Sequence, residues 1–532
     1  MKKEINFILI LNSSGNIDVS ILNDRFPEIS NLKSHMETKG YLVYIHVINN
    51  NYDNVSLPLE QQFFACFFVN AENINETLTK ARNLKQINPL LHISLYGPIT
   101  NTIEHSILSD NECVDSILLY ESGNTFEALI KCLEQSCEPN EVAGIVYKNS
   151  KGKIIINYYK ESDIEANILH PSRLPSKIYN KDYLDIRGSI GCLGACSFCA
   201  SVHNYTKILK VCLRNAESIV NEIQNLMKEY KINTFRLLDS TFEDPGEEGF
   251  NRANKIFDLI IERGIKVHLH LFTRTNLVLK EPEDYFRKAK MAGVECFYVG
   301  IESGNNDDLK LYNKGCTVSD NMIAIEKIQK AGIYVSMGFI SFNPYTTYQR
   351  LLQNAEFINS SHMGHIYYFY QSRVAVYPQS RMLAKLQKDG LVDGFSYRSH
   401  RHDYRFQNPG IETLYNVIKD AYKKLHINDM EAQLGMNRIW VNEGMKSEAK
   451  PRILCMYDEL NQLCDEYKQK NYMYFTKCVN MSANGATVKQ MSHIADIYKL
   501  DDIYNRYMKL FNDIGILVRK EKIKEVISFK MN

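Results

Sequence analysis

Three cysteines stand close together in the segment G-C-L-G-A-C-S-F-C-A, at Cys192, Cys196 and Cys199. Three thiolates on one tight loop at C-x3-C-x2-C spacing can ligate three irons of a four-iron cluster and leave the fourth open to another molecule. Gly191 and Gly194 allow such a loop to wrap a bulky group, because glycine accepts backbone angles that other residues avoid. Zinc is the alternative occupant. It usually takes four ligands from paired Cys or His knuckles, and no second knuckle is nearby, although His203 could supply a fourth ligand. The chain has 13 cysteines, an odd count in a long chain, which argues against a disulfide framework. Cys66, in the run FFACFFV, reads as a core residue. Cys316, Cys455, Cys464 and Cys478 read as buried thiols, with a catalytic thiol or an extra cluster ligand as the other possibility for each.

The elements around the loop must position it. After it come TFRLLD, KVHLHLFTR, CFYVGIES, YVSMGFIS and YYFYQSRVAVYP, alternating with helical segments such as AESIVNEIQNLMKEY and NMIAIEKIQKAG. Five or six βα units are too few for a closed eight-fold barrel and predict a partial one over residues 187–390. Residues 1–140 also alternate short apolar runs with helices, which predicts a Rossmann-like parallel sheet covered on both faces. Residues 141–186 read as a linker, opening with a hairpin that turns at Ser150 to Gly152. Residues 391–532 read as mostly helical. The fold class expected is thus α/β, in three parts.

Composition narrows the function. The chain has 532 residues, 45% hydrophobic and 23% charged, as in soluble globular proteins. Lys and Arg total 63 against 62 Asp and Glu, so no large basic surface for nucleic acid is expected. No apolar run approaches the roughly 20 residues that span a bilayer. The start, MKKEINFILIL, reads as a first buried strand rather than a leader, because Glu4 interrupts it and no small-residue cleavage site follows. A cytoplasmic location is expected.

The cysteine segment, with Phe198 just before its last cysteine, resembles the signature of the radical S-adenosylmethionine (SAM) superfamily. That resemblance implies that Cys192, Cys196 and Cys199 hold a [4Fe-4S] cluster, that the open iron binds SAM, and that an electron from the cluster cleaves SAM to a 5′-deoxyadenosyl radical. Later segments resemble the family in the same order: LLDSTFEDP, FTRTN, AGVECFYVGIESG followed by NKGCTV, AGIYVSMGFI, and VYPQSRMLAKL. By this resemblance Phe198, Asp239, Arg274, Glu302, Ser303 and Tyr377 would contact SAM. The chain departs from the pattern where Gln379 and Ser380 replace Gly-Thr, and where NPYTT replaces G-x-P-G-E-T.

The first region resembles the cobalamin-binding domain that precedes many such enzymes, through YGPITNTIEHSIL and VDSILLYESGNTFEALIKCLE. Tyr96 and Tyr120 replace glycines of that pattern, and the D-x-H-x-x-G motif is missing, so no histidine ligand to cobalt is implied. Ser13, Asn70, Gly97 and Glu121 are the cobalamin contacts the resemblance implies, and a domain that no longer binds cobalamin is the alternative. The reaction implied is methylation of an unactivated carbon in a biosynthetic or peptide-maturation pathway. A small-molecule or peptide substrate and an electron donor such as flavodoxin or ferredoxin would be the partners. The rivals are a radical rearrangement, dehydration or cyclisation, a tRNA methylthiotransferase, and a non-catalytic cobalamin or redox sensor. The methylthiotransferase would need a second cysteine trio and a basic RNA-binding barrel, and neither is read here. The intact cysteine loop argues against the sensor.

Overall fold

The computed structural model describes residues 4–11, 27–49, 63–70, 73–97, 99–100, 107–119, 123–158, 183–199, 211–361, 363–378, 380–396, 401–423 and 450–531. Two sheets organise it, one mixed and one parallel. The first contains β1 (Glu4–Leu11), β2 (Leu42–Asn49), β3 (Phe64–Phe68), β4 (His92–Tyr96), β5 (Ser116–Leu118), β6 (Ile145–Lys148) and β7 (Ile154–Asn157), in the order β2-β1-β3-β4-β5-β6-β7. The run FACFF of β3 is buried along its whole length, because helices cover both faces. On one face Phe64, Cys66 and Phe68 pack with Leu32, Met36 and Phe126. On the other, Ala65, Phe67, Ile93 and Leu95 pack with Leu78 and Ala81. In this order the connections reverse direction between β1 and β3, the place where ligands bind in open α/β sheets.

The predicted hairpin forms, but it does not serve as a linker. β6 pairs antiparallel with β5 and β7 with β6, so the hairpin completes the first sheet. The reason is edge protection: β5 would otherwise expose unpaired backbone groups.

The second sheet holds β8 (Leu184–Ile186), β11 (Thr234–Leu237), β12 (His268–Thr273), β13 (Val294–Glu302) and β14 (Tyr334–Phe339), all parallel, in the order β14-β13-β12-β11-β8. Between β8 and β11 lie the short strands β9 (Ser189–Ile190) and β10 (Cys212–Leu213), which pair with each other. Alternate residues of the main strands, such as Phe235, Leu269, Phe297 and Val335, join the helices in one core. The residues between them, Arg236, His270, Phe272 and Tyr298, stand on the opposite face. There Arg236 clasps Asp185 through two hydrogen bonds of 2.8 and 2.9 Å. The segment YYFYQSRVAVYP, expected as a sixth strand, begins instead as a helical turn, Tyr368–Gln371. Only Arg373 and Val376 then make isolated bridges, to Phe342 and His402.

The C-terminal part opens with a two-stranded hairpin, β15 (Val392–Ser396) and β16 (Arg401–Tyr404), and continues as helices. Its apolar side chains, among them Leu414, Tyr474, Phe475 and Tyr507, belong to the same continuous core as the barrel. No helix among the described residues is long and apolar enough to cross a membrane.

Candidate active site

The cysteine loop follows β9 and is fastened by segments that lie far away in sequence. The Leu193 N–H donates to Asp244 at 2.9 Å, just beyond β11. The Ser197 N–H and hydroxyl donate to the carbonyls of Tyr312 (2.9 Å) and Leu311 (2.7 Å), after β13. The Asn313 side chain donates to the Ala195 carbonyl at 2.8 Å. The Met382 N–H donates to the Ser197 carbonyl at 2.9 Å, from the helix Arg381–Lys388. The Phe198 ring meets Tyr312 edge-on, with centroids 5.4 Å apart. Tyr312 is itself fixed by Asn343, whose amide donates to its hydroxyl and to Asp308, both at 3.0 Å.

Within the loop Gly191 has φ +97°. A Cβ on Gly194 would stand 3.2 Å from Cys192 Sγ and 3.5 Å from Arg274, so a side chain there would crowd the cysteine sulfur. The Gly194 N–H points at Cys192 Sγ (3.2 Å), and Thr241 Oγ1 lies 3.4 Å from the same sulfur. Burial pushes the Cys192 and Cys196 thiols up, while Thr241 and Arg274 at Cys192, and Lys314 at Cys196, pull the other way. All three cysteines are free and partly accessible. Among the described residues no group of three His, Cys, Asp or Glu gathers round one point as ligands of a single ion would. His203 lies outside the described residues.

The residues expected beside SAM divide into two groups. Arg274 reaches the loop: its guanidinium is 2.5 Å from Asp244, and its Nε is buried without a hydrogen-bond partner among the described residues. Glu302 ends β13 in the left-handed region, φ +68°. A Cβ on Gly300 would lie 2.9 Å from Glu302 Oε1, and one on Gly338 would lie 3.2 Å from Oε2. Two glycines on neighbouring strands thus clear the space its carboxylate occupies. Tyr377 is half-buried, and Arg401 lies over its ring at 5.4 Å.

Asp239 and Ser303 form the second group, whose side chains are held by partners inside the protein. The Asp239 side chain is 0% exposed; it accepts from the Gly188 N–H at 2.7 Å and from Arg252 at 2.8 Å. Ser303 is fully buried and donates to Asn354 at 2.8 Å. Both side chains are committed to internal partners, which lie too far along the chain to be read from the motif.

Sequence reading assigns no role to Asp244, Lys314 and Asn343, which lie within LLDSTFEDP, NKGCTV and NPYTT, or to Tyr312. The signal for Lys314 was its place between Asn313 and Gly315, two turn-forming residues. Burial pushes the Cys464 and Cys478 thiols up to about 12 and about 11, as inert core cysteines require.

In the first sheet, Gly97 follows β4 with φ +146°, and its Cβ would collide with the Val69 carbonyl at 2.3 Å. Asn70 follows β3, next to the point where the connections reverse; its side chain accepts from the Asn73 N–H at 3.0 Å. Ser13 and Glu121 lie outside the described residues.

Comparison with known proteins agrees with this geometry. Residues 186–358 match the Radical SAM superfamily. An uncharacterized methyltransferase of Pyrococcus horikoshii is 25% identical over 53% of this chain and 61% of its own length. The 4′-phospho-dehydrooxetanocin synthase of Priestia megaterium is 25% identical over 42% of this chain and 32% of its own. The chain therefore spans less than two thirds of either relative. A solved structure of the cobalamin-dependent S-adenosylmethionine radical enzyme OxsB, with aqua-cobalamin and S-adenosylmethionine bound, superposes with a TM-score of 0.69, covering 98% of this chain and 81% of that one at 15% identity. The cysteine loop lies inside the match to the Radical SAM superfamily over residues 186–358, and the chain shares its fold with the OxsB structure.

Proposed function

We propose that this chain is a cobalamin-dependent radical SAM enzyme that methylates an unactivated carbon. The observation that carries the reading is the cysteine loop, which is fastened by residues following β11 and β13 and by the helix Arg381–Lys388, with the Arg274 guanidinium and the Glu302 carboxylate beside it. Three thiols are a donor set suited to iron–sulfur ligation. The unpartnered Arg274 Nε is a donor available to an anionic group at the loop. When bound, the cluster would supply the electron that cleaves SAM, and cobalamin the methyl group that a carbon radical accepts.

The residues of the chain then have separate tasks. Cys192, Cys196 and Cys199 would hold the cluster. Arg274, kept in place by Asp244, would meet the SAM carboxylate, and Glu302 would accept from its amino group. Phe198 and Tyr377 would line the site, and Asp239 and Ser303 would support it from behind. Asn70 and Gly97, with Ser13 and Glu121, would border the cobalamin. The division of labour would be residues 1–140 for cobalamin, 187–390 for radical formation and 391–532 for closing the substrate pocket, with 141–186 between the first two. A small-molecule or peptide substrate and a flavodoxin- or ferredoxin-type donor in the cytoplasm complete the reading.

A second reading, a radical rearrangement or cyclisation without methyl transfer, is favoured by the relative named as a synthase. Anaerobic reconstitution separates the two. The protein should bind about four irons and retain added cobalamin. With SAM and a strong reductant it should yield both 5′-deoxyadenosine and S-adenosylhomocysteine. Alanine at Cys192, Cys196 and Cys199 together should abolish iron binding and 5′-deoxyadenosine. Formation of 5′-deoxyadenosine with no cobalamin retained and no S-adenosylhomocysteine would favour the second reading.

A further inference from the structure

Lys314 is a buried cation to which no role has yet been given. It sits in a turn whose backbone enters the left-handed region on both sides of it, at Asn313 (φ +54°) and Gly315 (φ +67°). The turn carries the chain back toward the end of β13, and the lysine side chain is only 6% exposed. Its ammonium donates to Glu302 at 3.3 Å. A Cβ on Gly300 would stand 2.9 Å from Lys314 Nζ, so the glycine that clears space for the carboxylate also clears it for the ammonium. The same turn is tied to the cysteine loop through Asn313 and the Ala195 carbonyl.

An isolated buried ammonium is strongly disfavoured, and a buried ion pair holds only where both charges find partners. Here the paired anion is the Glu302 carboxylate, and the thiols of the neighbouring loop become anions only as metal ligands. A loaded loop would carry three thiolates, and Glu302 adds a fourth negative group at close range. A buried cation paired with Glu302 beside the loop attracts both.

Resting on the cluster assignment made above, we infer that Lys314 is a positioning residue of this site: it fixes the Glu302 carboxylate and its charge offsets that of the thiolate loop. Two consequences follow from the charge alone. Removing it makes an added electron less welcome, so the cluster becomes harder to reduce. It also frees Glu302 from its orienting partner, so SAM binds less tightly.

The experiment uses the full-length, iron-reconstituted protein and its Lys314→Met and Lys314→Arg variants. Each is assayed for iron content, for cluster midpoint potential by redox titration followed by electron paramagnetic resonance without SAM, and for SAM affinity by equilibrium dialysis. Lys314→Met should shift the potential to more negative values and weaken SAM binding about tenfold, the scale of a lost charged hydrogen bond. Lys314→Arg should keep the wild-type potential, because the charge remains. If Lys314→Met loses the cluster, Lys314→Arg should restore it. An unchanged potential and SAM affinity in Lys314→Met, or loss of iron in both variants, overturns the inference. Wild-type protein that binds no cluster instead refutes the assignment on which it rests.

Discussion

Replacing Asp239 with alanine should cost stability before it costs cofactor affinity. Asp239 and Arg252 form an ion pair at 2.8 Å whose side chains are 0% and 6% exposed. Arg252 is further held by the carbonyls of Gly188 and Phe242, each at 2.6 Å, and its guanidinium lies over the Phe242 ring at 5.1 Å. Truncating Asp239 leaves that guanidinium buried without its counter-charge, a loss of about 3–5 kcal/mol. It also strips the Gly188 N–H of its acceptor, a penalty of about 1–3 kcal/mol. The two overlap, since both describe the same desolvated pocket, so about 4 kcal/mol is expected in total. Asp239→Asn keeps an acceptor and the shape and should cost about half as much. Adding Arg252→Met to Asp239→Asn should recover part of the loss, because the orphaned charge goes with it. The assay is urea unfolding of the iron-loaded protein by circular dichroism, with SAM affinity measured in parallel under native conditions. An unchanged unfolding midpoint together with lost SAM binding would refute this reasoning and return Asp239 to direct contact with the cofactor.

Other outcomes can be checked alongside. Gly304→Ala would place a Cβ 2.3 Å from that of Phe357 and should lower the thermal midpoint by the equivalent of about 3 kcal/mol. Gly332→Ala (φ +75°), with nothing within 4 Å, should cost only about 1 kcal/mol; equal losses in the two variants would contradict the packing argument. Glu243 should make stability pH-dependent. Burial raises its carboxyl to about 7 against the hydrogen bond from Tyr285. A carboxyl raised in the folded state favours folding in its neutral form, so its contribution is full below the ordinary carboxylate range and is lost as pH rises through about 7. Unfolding midpoints should therefore fall between pH 5 and 8 in the wild type, and Glu243→Gln should flatten that slope; an equal slope in both would assign it to another group.

Much of this protein was written locally. The C-x3-C-x2-C spacing sets the chemistry of the loop whatever surrounds it, because three thiols so close in sequence must share one neighbourhood. The fully apolar run of β3 announces a sheet covered on both faces, since no half-exposed strand could carry it. Glu302 and Arg274 stand where their strands end, and a strand end is legible from periodicity. What periodicity cannot carry is the identity of a partner far along the chain. Asp239 and Ser303 sit in motifs as suggestive as that of Glu302, yet Arg252 and Asn354 claim their side chains, and only packing brings those residues together. The hairpin over β6 and β7 looks like a connector until the unpaired edge of β5 recruits it. The helix-rich C-terminal part shows no boundary of its own in the tertiary structure, because its tyrosines and leucines finish the barrel's core. Sequence spacing decided which atoms could do chemistry here; long-range burial decided which of them remain free to do it.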